Sequence, residues 1–97
     1  MLKIIWKRQA LRRVSEIATW YEQNMGTTAM RKFLQGISST VELLANQPNI
    51  GIADMQRNTQ HIKYYSFVAH PKYKIVYYFN SQTLYVVTIH RTMMKKG

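Results

Sequence analysis

Lys72-Tyr73-Lys74-Ile75-Val76-Tyr77-Tyr78-Phe79 is the stretch from which the rest of the fold can be read. Side chains of a β-strand alternate between two faces, and β-branched and aromatic residues suit the pleated surface. Alternation puts Tyr73, Ile75, Tyr77 and Phe79 on one side, predicted as core, with Lys72, Lys74, Val76 and Tyr78 on the other. Residues 61–68 and 83–90 have the same character. They are separated from the central run by Ala69-His70-Pro71 and Asn80-Ser81-Gln82, both short enough for hairpins. Three strands, 61–68, 72–79 and 83–90, are therefore expected as an antiparallel meander. In the last, Tyr85, Val87 and Ile89 form the more apolar set, which places Leu84, Val86, Thr88 and His90 opposite. In the first, His61, Lys63, Tyr65 and Phe67 share a face that the pattern leaves open. If they join Lys72, Lys74 and His90, the uncovered side of the sheet is basic, aromatic and histidine-bearing.

Upstream the period changes. Residues 2–6 read as a short strand. Leu11, Val14, Ile17, Ala18, Tyr21 and Met25 then recur at helical spacing, with Arg8, Arg12, Arg13 and Glu16 mostly elsewhere on the wheel. Gly26 is a helix stop, and Thr27 or Thr28 is expected to cap a second helix. That helix carries Met30, Phe33, Leu34, Ile37, Val41 and Leu44 as its apolar stripe and ends before Asn46-Gln47-Pro48. Residues 49–60, with Gly51 and no period, are expected to be loop. The order strand, helix, helix, strand, strand, strand predicts an α+β fold, with the helical hairpin covering one face of the sheet.

Composition bounds the function. A chain of 97 residues, 46% hydrophobic, suits one domain over residues 1–97 with one core. Its longest uncharged apolar run, residues 75–79, is far below the roughly 18 residues of a membrane span, and the N-terminus lacks a signal-peptide core. A soluble, cytoplasmic protein without a membrane partner is expected. There is no cysteine, hence no thiolate nucleophile. Fourteen Lys and Arg against four Asp and Glu give a net charge of +10, a field that seeks polyanions. All four carboxylates, Glu16, Glu22, Glu42 and Asp54, lie in the first 54 residues. From Met55 onward Arg57, Lys63, Lys72, Lys74, Arg91, Lys95 and Lys96 meet none, which favours phosphate or an acidic protein as counter-charge.

Three segments carry a resemblance. Val41-Glu42-Leu43-Leu44-Ala45-Asn46-Gln47-Pro48-Asn49-Ile50-Gly51 is an apolar helix end followed by a Pro-x-x-Gly turn. The strand 72–79 places a basic residue before an apolar pair and tyrosine, and Val86-Val87-Thr88-Ile89-His90-Arg91 is a last strand with a basic exit. In this order and spacing the chain resembles the RelE/ParE superfamily of toxins over nearly its whole length. The resemblance implies a toxin neutralised by an acidic antitoxin in a toxin–antitoxin hetero-oligomer. It also implies one of two activities: RelE-like members cut messenger RNA on the ribosome, while ParE-like members poison DNA gyrase without known nuclease chemistry. Fold does not choose between them, because function lies in the site.

RNA cleavage needs the 2′-hydroxyl deprotonated, the crowded phosphate stabilised and the leaving oxygen protonated, with no metal or cofactor. In that role Lys72 and Lys74 would stabilise the phosphate, Arg91 would hold it in two-pronged fashion, and His90 or Lys63 would move protons. Lys74 matches the family's strand arginine or lysine, and His90 with Arg91 matches its C-terminal catalytic region. Arg57, Lys72, Lys95 and Lys96 are the expected nucleic-acid contacts. The sequence departs from RelE-like nucleases in having Thr92-Met93-Met94-Lys95 after Arg91, where those often carry a tyrosine. The Pro-x-x-Gly turn and the histidine ending the last strand look ParE-like. Other motifs point to no further chemistry: the three histidines lack zinc-ligand spacing, and no Gly-rich phosphate loop, Ser-His-Asp set or carboxylate pair is present. His61 and His70 read as turn or surface residues, and most tyrosines as sheet packing.

Overall fold

The structure, a computed structural model, describes residues 1–70 and 73–92, with the His70 side chain outside the description. β1 (Lys3–Trp6) leads through α1 (Arg8–Met25) and α2 (Thr27–Asn46) to a 3-10 turn, Pro48–Ile50. β2 (Ile52–Ala53), β3 (Tyr65–His70), β4 (Tyr73–Phe79) and β5 (Thr83–Arg91) follow. They form one sheet in the order β1-β5-β4-β3-β2, antiparallel except that β1 runs parallel to β5. The α+β class and the expected order hold, with β2 as an additional strand. No helix among the described residues is long and apolar enough to cross a membrane.

Gly26 ends one helix and begins the next. At φ 96° it occupies backbone space that favours glycine; its N–H donates to Tyr21 O (3.0 Å) and its carbonyl accepts from Met30 N (3.2 Å). Neither Thr27 nor Thr28 caps α2, because Gly26 holds the cap position and Thr27 is already helical. The helix stripes also shift. In α1 the fully buried residue is Ala10, with Val14, Ile17, Ala18 and Tyr21 packed on the core, while Leu11 and Met25 are exposed. A small side chain lets that helix face lie close against the sheet, so size rather than hydropathy picks the residue. In α2 the stripe is Phe33, Ile37, Val41, Leu44 and Ala45; Leu34, about 100° round the helix from Phe33, is exposed.

On the sheet, Tyr73, Ile75 and Tyr77 face the helices as expected, and β5 departs from the expected phase. Leu84, Val86 and Ile89 are the core residues, not Tyr85 and Val87. The reason is a β-bulge: Val76 pairs with Thr88 but Tyr77 with Val86, so one extra residue in β5 shifts the alternation. Before the bulge Tyr85 points away from the helices and stacks on Tyr78 at 4.7 Å; beyond it Thr88 and His90 point away. β3 starts at Tyr65, not at 61. The Thr59 hydroxyl accepts from the His61 and Ile62 amides, and Asn58 Oδ1 accepts from Tyr64 N, which takes those amides out of the ladder. Tyr65 and Phe67 join the core side, so they do not line the opposite face.

Candidate functional site

Turned away from the helices, the second face of the sheet carries Val68, Lys74, Val76, Thr88 and His90 by register. Lys74 and His90 are direct cross-strand partners. The face is not bare. Val76 (1% exposed) and Thr88 (0%) are buried although no helix covers them. Residues 54–64 fold back across the sheet as a strap, with Arg57 reaching His90 and the Tyr64 ring edge-on to Tyr78 at 5.5 Å. Beneath it the Thr88 hydroxyl has no hydrogen-bond partner among the described residues.

The strap is anchored from below. Tyr77 donates its hydroxyl proton to Pro48 O (2.7 Å) and accepts from Gly51 N (3.1 Å), which gives the Pro-x-x-Gly turn a structural role. Burial pushes that hydroxyl's pKa up to about 12, so it remains neutral. The Asp54 carboxylate then accepts from Arg57 N (3.3 Å) and lies 3.7 Å from its Nε, aiming the guanidinium at His90. Arg57 Nη2 is 3.1 Å from His90 Nε2. A guanidinium only donates, so His90 accepts on Nε2 and is the neutral imidazole protonated at Nδ1. Burial, then the positive fields of Arg57, Arg13 and Lys74, lower its pKa against the smaller opposing effect of Asp54. Arg13 reaches in from α1, donating from Nε to Ile89 O at 3.2 Å.

The expected site residues are thus divided. Arg57, Lys74 and His90 come together. Arg91 pairs with Tyr73 and turns to the helix face, where its guanidinium lies 5.8 Å from the Trp20 ring centroid. Lys63 is exposed in a cleft lined by His61, Tyr78, Phe79 and Asn80. That is the other end of β4, about 16 Å along the strand from Lys74. Lys72, Lys95 and Lys96 lie outside the described residues. Arg13 and Asp54 are additions that the sequence reading did not single out. Their signals were available: Asp54 stands three residues before Arg57 in a turn, and Arg13 three after the buried Ala10.

A neutral His90 has a measurable consequence. With its folded pKa below the unfolded value, the unfolded chain binds the proton first as pH falls. The stability contributed by the neutral ring is therefore full above about pH 6.5 and is lost as pH drops through the folded pKa. Urea unfolding at pH 7.5, 6.5 and 5.5 should show the wild type losing stability over this window, with a shallower loss in His90→Gln. Identical slopes would mean that the ring is not held neutral.

A family model described as the ParE toxin of the type II toxin–antitoxin system parDE matches residues 4–95. The chain belongs to the ParE toxin family. Two solved structures share the fold of this ParE-family chain. One is described as a chromosomal ParDE TA system from P. aeruginosa, at TM-score 0.72 and 18% identity over 96% of this chain and 98% of that one. The other is a YoeB dimer from Staphylococcus aureus, at TM-score 0.54 and 17% identity over the same shares. No curated protein matches the sequence. The resemblance to the RelE/ParE superfamily therefore holds, within its ParE branch.

Proposed function

We propose that this chain is a growth-arresting toxin that acts in the cytoplasm on DNA gyrase by binding, without nuclease chemistry, and is held in check by an acidic antitoxin. The observation that carries this reading is the dispersal of the four groups expected to act on RNA. Arg91 stands on the opposite face from Lys74 and His90, Lys63 is at the far end of the sheet, and the one available imidazole nitrogen is occupied by Arg57. A general base needs that nitrogen free, within hydrogen-bond reach of the proton it takes. What Arg57, Lys74 and Arg13 form around His90 is a cationic contact surface with Asp54 as its carboxylate, suited to an anionic partner. The family match points the same way.

Cleavage of messenger RNA on the ribosome, as a metal-independent endoribonuclease, is the second reading. Its support is the direct pairing of Lys74 with His90. Induced expression separates the two: the proposal expects growth arrest with inhibited gyrase supercoiling and unchanged messenger RNA ends. New RNA ends with supercoiling intact would establish cleavage instead. In that case Lys74→Ala and His90→Ala should abolish cutting, while a change at the partly exposed Lys74 alters stability by only about 0.5 kcal/mol.

A further inference from the structure

The end of the sheet remote from His90 carries a row of tyrosines on the face turned away from the helices. Tyr78 of β4 is the cross-strand partner of Tyr85 of β5, and their rings stack at 4.7 Å with 21° between their planes. Tyr64 of the strap extends the row, edge-on to Tyr78. All three are half-buried. Tyr21, Tyr73 and Tyr77 bond their hydroxyls inside the protein. Those of Tyr64, Tyr78 and Tyr85 have no hydrogen-bond partner among the described residues.

Lysines frame the row. The parallel register sets Lys3 opposite Thr83 and Ile5 opposite Tyr85, so Lys3 stands on the tyrosine side while Ile4 and Trp6 pack on the core. Lys7 Nζ lies 5.7 Å from the Tyr85 ring centroid. One face of that ring rests against Tyr78, and the ammonium covers the other. Beyond Tyr78, the exposed Lys63 and His61 line a cleft of about 410 Å³. From β3 to β1 is three strand spacings, about 14 Å, the length of a few nucleotides. None of the four acidic side chains shares this surface: Glu16, Glu22 and Glu42 belong to the helices on the other side of the sheet, and Asp54 is beside Arg57.

We propose that this tyrosine row binds single-stranded nucleic acid. One unpaired base stacks on the Tyr85 face that Lys7 covers, another enters the cleft beside Tyr78, and the phosphates between them meet Lys3, Lys7 and Lys63. Aromatic rings stack bases of any sequence, and cations along the groove track the backbone. The occupant is not a peptide strand, because β4 and β5 have neighbours on both sides and offer no row of free main-chain groups. It is not a duplex, because only unstacked bases present their faces to a protein side chain. Tyr78 is four residues along β4 from Lys74, about 13 Å, which separates this surface from the His90 site. Binding here breaks no bond and does not depend on the gyrase reading.

Labelled oligothymidylate and oligouridylate should each bind the wild type more tightly than a DNA duplex of equal length, as read by fluorescence anisotropy. Tyr85→Leu keeps an apolar side chain beside Ile5 and should raise the Kd roughly 5- to 150-fold, the range for losing one stacked base. Lys7→Gln combined with Lys63→Gln, both exposed, should flatten the dependence of log Kd on log salt by about 1.4, or about 0.7 for each phosphate contact. Arg31→Gln combined with Lys32→Gln removes the same charge from exposed positions of α2 and should leave that slope as it is. Ring-proton resonances of Tyr78 and Tyr85 in the wild type should move upfield as either strand is added. Should Tyr85→Leu fail to fold, the lysine pair and these resonances decide. A duplex bound as tightly as the single strands, wild-type affinity in folded Tyr85→Leu, or an equal change of slope in the α2 pair would overturn the proposal. None of these results touches the gyrase reading, since the probes contain no gyrase.

Discussion

Phe33→Ala should lower the unfolding free energy by about 3 to 5 kcal/mol, the range for deleting a buried aromatic ring. Phe33 is 8% exposed and stands between the layers, stacked on Tyr21 of α1 at 5.3 Å and tilted against Tyr73 of β4 at 5.2 Å. Its loss opens a void where both helices meet the sheet and leaves the Tyr21–Tyr73 hydroxyl pair, bonded at 2.8 Å, beside it. In a domain of this size each kcal/mol moves the thermal midpoint by about 4 to 8 °C, so the variant should be largely unfolded well below the wild-type midpoint. Phe33→Leu should recover most of the difference. A urea midpoint within experimental error of wild type would remove Phe33 from the core.

Gly51→Ala should cost about 2 to 4 kcal/mol, by forcing apart a packed contact and disturbing two hydrogen bonds. The backbone there, at φ −74°, suits any residue, so the requirement is space. A Cβ would overlap the Tyr77 hydroxyl and come within 3.0 Å of Ser66 O. Tyr77→Phe alone should cost about 1 to 3 kcal/mol, because it leaves the Gly51 amide and Pro48 carbonyl without their partner. The double variant should cost less than the two single effects added together, since removing the hydroxyl relieves much of the overlap. Strict additivity in guanidinium unfolding would show that the turn and the tyrosine do not touch.

Element order was legible because the hydrophobic period switches from helical to alternating near residue 61. The phase of β5 was legible only in part. Ile89 and His90 fall where simple alternation puts them, whereas Leu84 and Val86 fall opposite, because the bulge is specified by packing rather than by a local residue signal. The strap was not legible. Residues 49–60 have no period, and what places them is the Tyr77 hydroxyl, 26 residues beyond Gly51. For the same reason Arg57 could be read only as an unpaired cation, not as the partner of His90. Arg91 shows the limit of adjacency: it follows His90 in sequence, yet the pleat sends it to Trp20 on the other side.

The parallel pairing of β1 with β5 also bears on synthesis. Lys3 is matched with Thr83 and Trp6 with Val86, so β1 has no partner in the sheet until β5 is made. Contacts so distant along the chain close late, after their loop entropy has been met by other interactions. A nascent chain that stops before Thr83 has the helical hairpin and all of β4, but lacks Leu84, Val86 and Ile89 to complete its interior. Translation thus leaves the interior open at one side: the growing polypeptide cannot close its core until β5 emerges to join strands made long before.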